Sequence, residues 1–85
     1  MTDTGRALLG ALTARGPQPA LIWYGPEGRT ELSGAVLANW LIKSVNHLAD
    51  EVMLDAGDAV TLQMPAHWKR FVLATAARML GAEVT

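Results

Sequence analysis

Ala59-Val60-Thr61-Leu62-Gln63-Met64-Pro65, the stretch His67 to Leu80, and Gly81-Ala82-Glu83-Val84-Thr85 together decide the fold. Residues 59–64 form a short apolar run that reads as a strand, and Pro65, which has no N–H to give a ladder, closes it. From His67 the period changes. Trp68, Phe71, Val72, Thr75, Ala76 and Met79 fall at i, i+3, i+4, i+7, i+8 and i+11, one apolar stripe on a helix, with Lys69, Arg70 and Arg78 off it. Gly81 ends this helix, and residues 82–85 read as the start of another strand. Strand 59–64, helix 67–80 and strand 82–85 make a β-α-β crossover, which implies parallel strands joined by a right-handed connection.

Upstream of the crossover, the long helix is marked by Ser33, a good N-cap, followed by Val36, Leu37, Trp40, Leu41, Val45, Leu48 and Val52 at helical spacing up to about Leu54. Ala56-Gly57-Asp58 is expected to stop it. Before it, Ala20-Leu21-Ile22-Trp23-Tyr24 reads as a strand and Gly25-Pro26-Glu27-Gly28 as a turn, Pro26 fixing φ and Gly28 tolerating a positive one. Arg29-Thr30-Glu31-Leu32 then returns antiparallel to complete a hairpin. The chain opens with a helix that Asp3 or Thr4 caps; Leu8, Leu9 and Leu12 form its stripe, Gly16-Pro17 ends it, and Gln18-Pro19 is a linker. The expected fold class is α/β: a partial doubly wound sheet with an N-terminal helix, a β-hairpin, a long helix and one β-α-β crossover. It forms one incomplete domain over residues 1–85, with the N-terminal helix in 1–17 and the remainder in 18–85.

Composition points to a missing surface. Apolar residues make up 51% of the 85 positions and charged residues 18%, against about 25% charged in ordinary domains. A chain of this length buries only about 60–65% of its unfolded surface, so its core is thin. Parallel strands need cover on both faces, and one crossover with one further helix layer supplies it poorly. The expected partner is the remainder of its own domain or a second copy of the chain.

Seven Lys+Arg against eight Asp+Glu give a net charge of −1, and the basic residues are dispersed, so no field exists to gather nucleic acid or anionic lipid. The most apolar stretch, Leu37 to Leu54, is broken by Lys43, Asn46, His47, Asp50 and Glu51, so no membrane span is expected. Residues 1–5 do not resemble a secretory leader, and the absence of cysteine removes disulfides and thiolate chemistry. The expected location is the cytoplasm.

Few side chains invite a chemical role. His47, Asp50 and Glu51 share one face of the long helix, and this trio reads as a solvated polar surface rather than a ligand set. His67 reads as a helix-start residue before it reads as a general base. Ser33 with a histidine and an acid has no fixed geometry, and the Gly-x-Ser-x-Gly elbow is absent. Gly25 to Gly28 lacks the Gly-Lys-Ser/Thr end of a phosphate loop and leads into a strand, and Gly57-Asp58 precedes a strand, where a dinucleotide turn would follow one. Trp23, Trp40 and Trp68 with Tyr24 and Phe71 lack the interleaved basic residues of a base-stacking platform, and Trp40 and Trp68 read as core.

The order of these elements resembles the N-terminal start of the AMP-forming adenylating enzymes: acyl-CoA synthetases, adenylation domains and luciferases. The similar stretches are Ala20-Leu21-Ile22, Thr30-Glu31-Leu32, Ala38-Asn39-Trp40-Leu41, Ala56-Gly57-Asp58-Ala59-Val60, Met64-Pro65 and Met79-Leu80-Gly81-Ala82, covering residues 18–85. It is closest in kind to short actinobacterial members that keep part of this fold. The lead-in is shortened to Thr30-Glu31-Leu32, and Ala66 stands where those proteins often carry Asn after the proline. The resemblance implies a parent activity, ATP- and magnesium-dependent activation of a carboxylate as an acyl-adenylate. The family's phosphate loop, adenine-contacting segment, ribose-binding Asp and catalytic Lys match nothing in residues 1–85. No catalytic, cofactor-binding or metal residue is therefore assigned. The expectation is a non-catalytic scaffold segment of an acyl-CoA synthetase-like protein, the alternatives being a self-associating interaction module or, less favoured, a small hydrolase or metal protein using His47 and His67.

Overall fold

A computed structural model describes all residues, Met1–Thr85. The chain is mixed α/β. In order it has helix α1 (Asp3–Arg15), strands β1 (Pro19–Gly25) and β2 (Gly28–Ser33), helix α2 (Gly34–Asp50), strand β3 (Ala59–Val60), helix α3 (Trp68–Met79) and strand β4 (Glu83–Val84). β1 and β2 form an antiparallel hairpin; β3 and β4 form a separate parallel pair joined through α3, the expected crossover.

The N-cap of α1 is Thr2, not Asp3 or Thr4: its hydroxyl accepts from the Gly5 N–H at 3.0 Å. The cap moves one residue outward because the Thr2 N–H is held by the Met79 carbonyl at 2.7 Å, tying the start of α1 to the end of α3. Gly16, at φ 58°, ends α1. Pro19, expected in the linker, is the first residue of β1, paired with Ser33. A register shift between Pro19 and Leu21 then brings Leu21 opposite Leu32 on the inner side of the hairpin.

Ser33 caps α2 as expected, its Oγ accepting from the Val36 N–H at 3.1 Å. The helix stops at Asp50, short of Leu54 and before Ala56-Gly57-Asp58 is reached. The stop lies at Met53, whose φ of 58° puts a non-glycine residue in the left-handed region. The chain turns back there, and the Leu54 N–H reaches the Leu48 carbonyl at 2.9 Å. Residues 56–58 form a separate turn, in which Asp58 accepts from the Asp55 N–H at 2.8 Å.

The expected strands 59–64 and 82–85 shrink to two residues each, Ala59–Val60 against Glu83–Val84. β3 pairs with β4 alone, and residues 61–64 join no ladder although their sequence suits one.

Leu37, Leu41 and Val45 of α2 meet Trp68, Val72, Ala76 and Met79 of α3, with Leu12 of α1 and Leu32 of β2 closing the cluster. A smaller cluster of Leu54, Ala77 and Ala82 joins α3 to the crossover. The helices approach closely where Gly34 meets α1: a Cβ there would lie 2.3 Å from the Leu12 carbonyl oxygen. Only 15 of 85 residues are buried, and the molecule is a slab of 33 × 30 × 18 Å, about two layers thick. No helix is long and apolar enough to cross a membrane.

Candidate functional site

The residues weighed for chemistry are not brought together. The Ser33 hydroxyl holds the start of α2. His67 holds the start of α3, its Nδ1 accepting from the Lys69 N–H at 3.1 Å. His47 lies exposed on α2. No three side chains among His, Asp and Glu converge, and no polar side chain is buried. Neither histidine makes a hydrogen bond or ion pair with a hydroxyl or a carboxylate, the contact that an acid–base assembly rests on.

What the fold does build is a surface around α3. Trp23 of β1 and His67 face each other with ring centroids 6.0 Å apart, and both line two adjoining depressions. The first, about 310 Å³, is an open groove along the outer side of α3. Phe71 and Ala74 lie on its helical wall, Leu62 and Val84 come from the crossover strands and their extension, and Arg70 and Arg78 flank it. The second, about 260 Å³, is polar and lies under the hairpin turn, lined by Gly25 to Thr30. Arg29 there pairs with Glu31; the Tyr24 hydroxyl first and Glu31 second raise its already high pKa, so it stays charged at any ordinary pH.

The first groove contains no Asp or Glu, and neither Arg70 nor Arg78 has an ion-pair partner. Phe71 belongs to the apolar stripe of α3, yet it is 50% exposed because it faces this groove rather than the core. Trp40, expected in the core, sits at its rim on the other side of α3. It packs edge-on against buried Trp68 at 5.1 Å, with the Lys69 ammonium 5.9 Å from its ring centroid and 5.6 Å from that of Trp68.

Sequence reasoning missed the groove because its walls come from four separated segments. One local signal existed: Arg70, Ala74 and Arg78 repeat at i, i+4 and i+8, a basic and small face on α3 distinct from its apolar stripe.

No family model matches this chain. Over 55 residues it is 36% identical to a "TIGR03089 family protein" from Mycobacterium tuberculosis (strain ATCC 25618 / H37Rv), a stretch that is 65% of this chain and 23% of that relative. The chain thus spans under a quarter of the length of the mycobacterial protein it matches.

Proposed function

We propose that the chain is a non-catalytic scaffold segment of an acyl-CoA synthetase-like, AMP-forming protein. Its parent chemistry would be the activation of a carboxylate as an acyl-adenylate. The observation that carries this reading is the order of the resembling motifs along one crossover. The turn Ala56-Gly57-Asp58 leads into β3, Met64-Pro65 follows it, and α3 runs out through Gly81-Ala82 into β4. The much greater length of the mycobacterial relative is in keeping with a segment that needs a larger body around it.

The residues of this chain do not fit ATP with magnesium. They offer no converging carboxylates and no buried polar side chain, and the one glycine-flanked loop between strands, Gly25 to Gly28, runs into a strand rather than a helix N-terminus. The test is a chimera in which the 55 matched residues of this chain replace their counterparts in the mycobacterial protein. The scaffold reading predicts a soluble chimera melting cooperatively within a few degrees of its parent. A chimera that unfolds, or micromolar binding of ATP and magnesium by the isolated chain in a calorimetric titration, would contradict it.

A second reading, a self-associating module without enzymatic activity, is favoured by one observation. The chain exposes 5485 Å², whereas a monomer of 9.1 kDa ordinarily exposes about 4,900 Å².

A further inference from the structure

Charge is unevenly distributed along the second half of the chain. Residues 44–68 hold Asp50, Glu51, Asp55 and Asp58 and no Lys or Arg; residues 69–82 hold Lys69, Arg70 and Arg78 and no acid, with Lys43 and Glu83 just outside the two runs. The fold turns this division into two different surfaces. The basic one is the groove along α3, where Arg70 and Arg78 flank the half-exposed Phe71. The acidic one is the tip at the end of α2. There Val52 and Met53 are 55% and 76% exposed, with exposed Asp50, Glu51 and Asp55 around them. None of these acids has an ion-pair partner within the chain.

The conformation of Met53 sets the tip apart. Its φ of 58° is the region where glycine ordinarily ends a helix, and a residue with a side chain is strained there. The chain places a long, flexible thioether at that position and points it into water. Unbranched methionine adapts to irregular apolar surfaces, as in promiscuous protein grooves.

We propose that two copies of this chain associate by seating the Val52–Met53 tip of one copy in the α3 groove of the other, Asp50, Glu51 and Asp55 meeting Arg70 and Arg78. Charge selects this occupant, since the groove is basic and apolar and the tip is its acidic and apolar counterpart. The inference deepens the self-association reading and is independent of the scaffold reading.

Sedimentation equilibrium on the whole 85-residue chain tests it. At 100–200 µM in low salt the mass should be at least twice 9.1 kDa. The double variant R70E/R78E and the triple variant D50K/E51K/D55K should each raise the dissociation constant at least tenfold, with circular dichroism unchanged because all five side chains lie outside the core. An equimolar mixture of the two variants should associate again, since acidic groove meets basic tip and acidic tip meets basic groove. A wild-type chain that stays at 9.1 kDa overturns the proposal. An oligomer that R70E/R78E leaves intact, or a variant mixture that stays monomeric, also overturns it, while leaving self-association through another surface in place.

Discussion

Glycine content alone says little about where this chain is tightly packed; the neighbours of each glycine say more. Gly34 and Gly10 both lie within helices, yet a methyl group has opposite consequences at the two. At Gly34 a Cβ would meet the Leu12 carbonyl oxygen at 2.3 Å and the Arg15 Cβ at 2.8 Å, and the first of these is backbone that cannot rotate away. At Gly10 nothing lies within 4 Å. Gly34→Ala should therefore force α1 from α2 and cost about 1–3 kcal/mol. Gly10→Ala should gain about 0.5–1 kcal/mol by narrowing the unfolded ensemble and favouring helix. In a domain of this size each kcal/mol moves the melting temperature by about 4–8 °C, so thermal melts followed by circular dichroism should shift in opposite directions. Equal shifts would mean that the helices do not meet at Gly34.

At the scale of elements, the parts legible in the sequence are those set by local chemistry. Pro26 and Gly28 mark the hairpin, and the Ser33 hydroxyl starts α2. The change of period after Pro65 marks α3, and Gly81 at φ 88° ends the turn that follows it. The parts that were not legible depend on something distant. Strand pairing needs a distant partner, and a run that suits six strand residues pairs through only Ala59 and Val60, opposite Glu83 and Val84. Thr2 becomes a cap because Met79 is near it in space. The end of α2 was hidden for another reason, since methionine is not a helix-stop signal. Met53→Gly separates local strain from function. It should relieve the left-handed side chain and hold or raise the melting temperature of the dilute chain, while weakening self-association several-fold by removing the apolar tip. A lowered melting temperature with association unchanged would show that the Met53 side chain serves the monomer's own packing.

The whole molecule is a two-layer slab whose apolar residues exceed what its interior can hold. Phe71, Trp40, Val52 and Met53 remain outside while Leu41 and Val72 are almost fully enclosed. High apolar content and low charge made this surplus legible as a quantity; its place was not, because the groove exists only once Trp23, Leu62, Arg70 and Val84 have been gathered from separate elements. The candidate site is accordingly an apolar and basic surface groove, and His67 at its edge holds the start of α3.

Hydroxyl-radical footprinting of the chain over a range of concentrations tests this account most directly, because it reads the cover of each side chain. In dilute solution Phe71 and Met53 should oxidise rapidly while Trp68 and Met79 stay protected, and raising the concentration should shield Phe71 and Met53 together. Phe71 as protected as Trp68 at the lowest concentration would mean that the chain covers this face by itself, and would contradict the account.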